Sequence, residues 1–301
     1  MQPVRTLQGI ALAIAAVACF AVLDSTAKWV SATVPVMVAV WFRYMFQAVV
    51  VTAAMLPLRG RRLWQTAHPR FQLLRGLLLL TVSMLSFWSV SLMPVGEFTA
   101  IVMLTPLAVT LMAALFLKEK VTPLRWVLVA GGFGGAMLIV RPGGELSGWV
   151  TLLPLLMVAT YAAFQILTSR LARTEDPMTM HFYTGWVGAL AMSCVVPWVW
   201  TPLTQSTTVM QLCLVGLMGT VGHFLLILAY GRAPASALSP YLYTQIGFAM
   251  LAGWLVFEHV PGALEWAGIG LITVCGALAG WLSAHELRQA RRSRLFARHP
   301  H

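Results

Sequence analysis

The stretch VMQLCLVGLMGTVGHFLLILAYG, residues 209–231, contains no Asp, Glu, Lys or Arg. A helix needs about 20 mainly apolar residues to cross the hydrocarbon core of a bilayer, so this stretch predicts a transmembrane helix. The whole chain has the same character, because 59% of its 301 residues are hydrophobic and only 10% are charged. A soluble domain has about 25% charged residues. The composition therefore excludes soluble and intrinsically disordered classes and predicts a polytopic membrane protein.

Ten apolar runs of this kind follow one another along the chain. Turn-forming Pro and Gly residues bound several of them, and the loops between them are too short for a soluble domain. We therefore predict an all-α polytopic membrane protein with ten transmembrane helices. The runs cover residues 7–30, 35–57, 72–92, 97–117, 123–140, 147–169, 178–199, 209–231, 235–257 and 262–284.

The basic residues indicate how these helices are oriented. The chain has 20 Lys and Arg against 9 Asp and Glu, a formal net charge of +11, which in a soluble protein would suggest a nucleic-acid partner. Most of them instead mark alternate loops, including Arg59, Arg75, Lys118, Arg170 and Arg288. The positive-inside rule then predicts a multi-pass protein of the cell (inner) membrane with both termini cytoplasmic and with no nucleic-acid partner.

The two halves of the chain resemble each other at an offset near 140 residues. Leu117–Val121 after run 4 parallels Val256–Val260 after run 9, and runs 5 and 10 are both rich in glycine. Five helices per half is an odd number, so the second half must insert upside down. Inverted repeats recur in secondary transporters, where the solute binds near the midplane. We predict a first repeat at 1–143, a second repeat at 144–286 and a basic cytoplasmic tail at 287–301.

These features carry a family resemblance that covers nearly the whole chain. They are the paired five-helix halves, the hinges at Pro94 and Pro234, the acidic residues Glu119 and Glu258, and the glycine-rich runs 5 and 10. The chain resembles the EamA-type ten-helix branch of the drug/metabolite transporter superfamily. The resemblance implies a carrier in which helices 1–4 and 6–9 surround a central cavity while helices 5 and 10 pack outside. The second half departs from the first, because it lacks a basic residue matching Lys120.

Three charged residues interrupt the apolar runs. Asp24 and Lys28 lie one turn apart in helix 1, and Arg43 lies in helix 2. Charges at such depth are costly and usually face a bundle interior or a watery cavity. In one interpretation they line the cavity, with the cations holding an anionic group and Asp24 holding an amine or a proton. In the other, Asp24 pairs with Lys28 or Arg43 and Lys28 reaches the membrane surface.

Polar residues in helices 6 and 8 are further candidates for substrate binding. Tyr161 and Gln165 lie one turn apart, and Gln165 either binds the solute or forms a hydrogen bond that packs two helices. His223 titrates near neutral pH, so it either contacts solute or a proton, or stays neutral against a neighbouring group. Trp88, Tyr241, Tyr243 and Gln245 complete the predicted substrate-binding set. Their aromatic rings either stack on a planar or cationic solute or pack the helices.

Four prolines and two glutamates are candidates for gating. A proline inside a membrane helix frees a backbone carbonyl, which suits either a moving gate or a static kink. Glu119 and Glu258 are expected to tether hinges by accepting hydrogen bonds from free backbone amides. The glycine-rich helices 5 and 10 either pack within a monomer or form a homodimer face. The prolines are Pro94, Pro106, Pro234 and Pro240.

The leading functional prediction is a secondary active transporter that moves a small organic metabolite by alternating access. Lys28 and Arg43 slightly favour an anionic or zwitterionic solute, and coupling is expected to protons or to exchange. An exporter of amino acids or drug-like compounds is the alternative within this class. A membrane enzyme or a channel is the alternative outside it, although the sequence contains no GxxxxGK[ST], HExxH or GxSxG motif. No cofactor and no metal site is predicted.

Overall fold

The computed structural model describes residues 3–92, 101–140, 149–248 and 262–296, and these residues contain ten α-helices and no β-strand. The predicted all-α, ten-helix fold is thereby confirmed. The helices are α1 (Pro3–Val30), α2 (Val36–Arg59), α3 (Pro69–Leu92), α4 (Thr105–Phe116), α5 (Pro123–Val140), α6 (Leu152–Leu171), α7 (Pro177–Ser193), α8 (Ser206–Tyr230), α9 (Ala235–Leu242) and α10 (Ala263–Phe296).

Five of the described segments are long and apolar enough to cross a membrane by themselves. Three further helical segments are apolar but shorter, namely Thr105–Phe116, Pro123–Leu138 and Trp266–Ala279. The chain is therefore a multi-pass membrane protein. The five long segments are Arg5–Ala27, Val36–Leu63, Pro69–Ser89, Leu152–Leu171 and Ser206–Tyr230.

Three helices end at positions that the apolar runs did not predict. α7 ends at Ser193 and a 3₁₀ turn follows at Val196–Trp198, where Pro197 lacks the amide that a continuing helix needs. α9 ends at Leu242 before a turn at Tyr243, helical residues resume at 244–248, and the rest of the predicted run lies outside the described part. α10 continues through 287–296, the first part of the predicted tail, because residues 281–296 contain neither Gly nor Pro.

The helices pack mainly across the two halves of the chain. α1 lies along α8 just as α6 lies along α3, and α2 contacts α8 just as α7 contacts α3. α2 with α7, α4 with α9 and α5 with α10 form three further pairs. Exchanging each helix with the one five places later converts this set of contacts into itself. The packing is thus that of two repeated halves; the residue boundaries proposed for them stay a prediction.

Glycines bring α5 and α10 close together within the chain. A Cβ atom on Gly131 would lie 2.7 Å from Cys275 Sγ, and one on Gly135 would lie 2.9 Å from the Gly268 carbonyl oxygen. This glycine pair therefore serves intramolecular packing. A Cβ atom on Gly276 would meet nothing within 4 Å. A homodimer through these helices stays a prediction.

Polar contacts at one end of the bundle join the α2–α3, α4–α5 and α6–α7 loops. Arg59 pairs with Asp176 at 2.7 Å and Arg173 pairs with Glu119 at 3.0 Å. Thr66 Oγ1 donates to the Glu175 carboxylate at 2.7 Å. The α2–α3, α4–α5 and α6–α7 loops therefore share one side of the membrane, which we call the Glu119 end. α1 begins at this end and carries the chain toward the opposite end, where α2 begins.

Candidate functional site

Four rings from three helices form an aromatic cluster inside the bundle, made of Phe20, Tyr161, Phe164 and His223. The His223 ring lies 4.7 Å from that of Phe20 and 5.9 Å from that of Phe164. Tyr161 and Phe164 stack with centroids 6.0 Å apart. Gly222 allows α1 and α8 to approach, because a Cβ there would lie 2.6 Å from Phe20 Cε1. The cluster brings together α1, α6 and α8.

Arg43 enters the same region from α2 and is only 7% exposed. Its Nη1 donates to Ser83 Oγ at 2.9 Å, and its guanidinium lies 4.8 Å from the centre of the Tyr44 ring. A Cβ on Gly219 would lie 2.7 Å from Arg43 Nε. Only a glycine at that position of α8 leaves room for the guanidinium.

Asp24 lies within α1, and its side chain is exposed rather than packed in the core. Gln245 Nε2 donates to its carboxylate at 2.9 Å. Asp24 and Arg43 lie within electrostatic range of each other and of Tyr161, but among the described residues they form no direct ion pair. The backbone of Lys28 belongs to α1, while its side chain lies outside the described part. Asp24, Arg43, Tyr161 and Gln245 are thus brought to one region.

Three polar atoms around the aromatic cluster are buried without a hydrogen-bond partner among the described residues. They are Arg43 Nε, Gln165 Nε2 and His223 Nδ1. The other end of the Gln165 amide is occupied, because Tyr230 donates its hydroxyl to Oε1. Buried polar groups in folded proteins are nearly always paired, so these three atoms are well suited to bind groups of a solute.

Three predicted aromatic residues lie outside this cluster. Tyr243 is fully buried against α5, where a Cβ on Gly132 would lie 2.6 Å from its ring. Tyr241 packs in the apolar core between α1, α4 and α8. Trp88 is half exposed near the far end of α3. The structure therefore does not bring these three side chains to the aromatic cluster.

Among the described hinge residues, Pro106 and Pro234 lie at the starts of helices, whereas Pro240 lies inside one. Pro106 occupies the first turn of α4, where the missing amide costs nothing, and its role in gating stays a prediction. Pro234 precedes the first residue of α9, and Pro240 lies inside it. Glu119 accepts a hydrogen bond from the Ser236 amide at 3.1 Å. Pro94 and Glu258 lie outside the described residues.

Arg75 was counted among the basic residues that mark the α2–α3 loop, although the predicted run 72–92 already contains it. The structure places this residue two turns into α3 with no exposed surface. The helix begins at Pro69, a usual first residue of a helix, and that signal alone would have put Arg75 inside the membrane. Gln47 and His181 were missed as well, and Gln47 Nε2 donates to the His181 carbonyl at 3.0 Å.

Comparison with known proteins agrees with this architecture. The model of the EamA-like transporter family matches the chain twice, at residues 7–141 and 148–279. A riboflavin transporter from Rhizobium johnstonii is 29% identical over 97% of this chain and 96% of its own. An S-adenosylmethionine uptake transporter from Rickettsia bellii is 28% identical over 73% of this chain and 75% of its own.

A solved crystal structure shares the fold at a TM-score of 0.78 and 18% identity, covering 95% of this chain and 99% of the other. Both family matches and these relatives identify a membrane transporter of small metabolites and not an enzyme. With matches that span both repeats, the chain belongs to the EamA-like transporter family of the drug/metabolite transporter superfamily.

Proposed function

We propose that the chain transports a planar, hydrogen-bonding metabolite of the riboflavin type, and that the solute binds at the aromatic cluster. The observation that carries the proposal is the position of two buried and unpartnered atoms, Arg43 Nε and His223 Nδ1, beside stacked rings, with Gln165 Nε2 next to Tyr161. The full-length similarity to a riboflavin transporter supports the same solute class.

The chemistry of a flavin matches these groups. Its ring system offers two flat faces, which the rings of Phe164 and Tyr161 would stack on. Its carbonyl oxygens are acceptors for the Arg43 guanidinium and the free amide of Gln165. The hydroxyls of its sugar-like tail are donors for the Asp24 carboxylate. The hydrogen-bond acceptors of the flavin ring therefore meet donors of the protein, and the hydroxyl donors of its tail meet an acceptor.

A solute that carries charges of both signs, such as S-adenosylmethionine, is the second candidate. Asp24 and Arg43 carry opposite charges, lie within electrostatic range and do not pair directly. A solute with an ammonium or sulfonium group and a carboxylate would bridge them, which fits the expected preference for anionic or zwitterionic compounds. The similarity to the Rickettsia bellii protein supports this candidate.

The transport cycle that we propose is alternating access between the two repeats. Exchange of the halves maps the helix contacts onto themselves, so two closures related by a pseudo-two-fold axis are available to one central site. Because the loops at the Glu119 end are basic, we expect this end, and with it both termini, to face the cytoplasm. A proton gradient or exchange drives the cycle, with Asp24 and His223 as the candidate proton carriers.

Counterflow into proteoliposomes tests the proposal. Purified protein is reconstituted into vesicles loaded with unlabelled riboflavin, and entry of labelled riboflavin is followed with external S-adenosylmethionine as competitor. We expect saturable entry that requires the internal riboflavin. Entry that rises linearly with concentration would indicate a channel. If labelled riboflavin does not enter, saturable entry of labelled S-adenosylmethionine into vesicles loaded with unlabelled S-adenosylmethionine would favour the second candidate.

A further inference from the structure

Arg75 lies in a closed polar cage between α3, α6 and α7. Its Nε donates to Thr168 Oγ1 at 3.0 Å, and its Nη1 donates to the Met180 carbonyl oxygen at 2.9 Å and to Thr184 Oγ1. The Phe164 ring covers the guanidinium at 5.3 Å. The side chain has no exposed surface.

All of these acceptors are neutral. Within the described part of the chain, no carboxylate pairs with Arg75. A buried cation without a counter-charge loses hydration and recovers only part of it from dipoles, and such residues in membrane segments usually serve a solute or ion path. Packing of α3 against α6 and α7 does not by itself require a charged group at this position.

Two polar atoms with spare bonding capacity, on His181 and Gln47, lie beside the cage, and a third, on Ser169, lies in the same turn of α6 as Thr168. His181 Nε2, Gln47 Oε1 and Ser169 Oγ are buried and unpartnered among the described residues. His181 lies within electrostatic range of Arg75, and Ser169 follows the acceptor Thr168 on α6. A cation accompanied by spare donors and acceptors is the composition of a binding site.

The cage lies on the line from the aromatic cluster to the Glu119 end. One ring, Phe164, contacts both His223 of the cluster and the Arg75 guanidinium. Thr168 is one turn from the end of α6, and Met180 is in the first turn of α7. A solute leaving the cluster toward the Glu119 end would therefore reach Arg75 next.

We propose that Arg75 is a second solute-binding residue, used when the bundle is open at the Glu119 end. On opening, the guanidinium exchanges Thr184 Oγ1 and the Met180 carbonyl for a carbonyl or carboxylate oxygen of the solute. Phe164 is the partition that separates the two binding positions in the present conformation. This inference rests on the transport function proposed above, but not on which of the two solutes is carried.

Thiol labelling tests whether the cage opens, whatever the solute. Cys19, Cys194, Cys213 and Cys275 are replaced by serine or alanine, and one cysteine is introduced by Ser169→Cys. A membrane-impermeant maleimide is applied to vesicles of each orientation. We expect labelling from the Glu119 end only. Val129→Cys is the matched control, because Val129 is equally buried but on α5, and it should react from neither side. No reaction at position 169 from either side overturns the proposal.

Two substitutions test the binding role itself. For Arg75→Lys, which keeps the charge but loses the planar fork, we expect a several-fold higher half-saturation for riboflavin, or for S-adenosylmethionine if that is carried, at the Glu119 end only. Thr184→Val removes an acceptor that the solute replaces, so it should lower that half-saturation. Equal changes at both faces, or Thr184→Val acting like Arg75→Lys, would show a merely structural role.

The two hypotheses fail in different ways. If the wild-type protein shows saturable flux of neither solute, the proposed function is contradicted for both, while labelling at position 169 still decides whether the cage opens. If flux is normal and position 169 is inert, the inference about Arg75 alone is wrong.

Discussion

Arg43 depends on a glycine that faces it across the bundle. Because a Cβ on Gly219 would lie 2.7 Å from Arg43 Nε, Gly219→Ala should displace the guanidinium from Ser83 and from the solute. We predict that this change raises the half-saturation of transport at least several-fold while the amount of protein in the membrane stays normal. Counterflow kinetics on equal amounts of reconstituted protein measure the effect.

Gly134 provides the matched control for this substitution. A Cβ there would meet nothing within 4 Å, so Gly134→Ala should leave transport unchanged and, at an interior helix position, stabilise the protein by up to about 1 kcal/mol. If both variants transport alike, Arg43 is not held in place by the space at Gly219.

Asp24 and His223 are the two titratable side chains on which the proposed site depends most. Asp24→Asn keeps the size and the contact with Gln245 but removes the charge, and His223→Ala removes a ring between Phe20 and Phe164. We predict at least a ten-fold loss of transport for each, with normal membrane insertion. His68→Ala is the control, because that histidine is exposed in the α2–α3 loop. Wild-type flux in both site variants would remove these residues from the site.

At the scale of the helix, Asp176 is the N-cap residue of α7. Its Oδ1 accepts hydrogen bonds from the Met178 and Thr179 amides at 2.9 and 3.2 Å, and Arg59 pairs with it at 2.7 Å. Partial burial alone would raise the pKa of Asp176, but the hydrogen bond from Arg59 and those from the two amides outweigh burial and lower it. The carboxylate therefore stabilises the folded state above the usual aspartate pKa of about 3.9, and this contribution is lost as pH falls through the lowered pKa.

We predict that Asp176→Ala destabilises the protein by about 1 kcal/mol, the usual value of a helix cap. Asp176→Asn keeps the cap and should lose less. Thermal unfolding of purified protein at pH 7 and at pH 3 measures both changes. The difference between wild type and Asp176→Asn should shrink at pH 3, and a difference that grows there would contradict the assignment.

Glu119 connects the α4–α5 loop to the start of α9. It accepts from the Ser236 amide at 3.1 Å and from Arg173 at 3.0 Å. Glu119→Ala removes both contacts, whereas Arg173→Ala removes only a half-exposed ion pair, which is worth little. If Glu119 holds this end closed, Glu119→Ala should increase labelling of a cysteine at position 169 more than Arg173→Ala does. Equal labelling would assign no closing role to the backbone contact.

The sequence predicted the existence of each helix better than it predicted where the helix ends. Apolar runs with Pro and Gly between them indicate each helix because the bilayer imposes one length scale. Their ends depend on local chemistry that hydropathy does not measure. Pro197 limits α7, and α10 continues through Arg288 and Arg294, since arginine is a good helix former and nothing after Trp281 interrupts the helix.

For the molecule as a whole, charges within long apolar runs predicted part of the site. Asp24, Arg43 and Gln165 lie at membrane depths where a polar side chain usually faces the bundle interior or a watery cavity. The structure brings all three to the region around Tyr161. Arg75 was missed because a basic residue near a helix start resembles a loop residue. Tyr161 and His223 of the aromatic cluster were predicted, but Phe20 was missed because apolar rings look alike in sequence, and only the helix pairing decides which of them meet.

The most direct test of the central claim is equilibrium binding of riboflavin to the purified protein, followed by quenching of flavin fluorescence. We predict saturable quenching by the wild type and a dissociation constant at least ten-fold higher for Arg43→Gln, with Arg125→Lys on α5 binding like the wild type. S-adenosylmethionine should compete if both share the site. Equal binding by Arg43→Gln and the wild type, or no saturable binding of either solute by folded protein, would contradict the claim that the solute binds between Arg43 and the aromatic cluster.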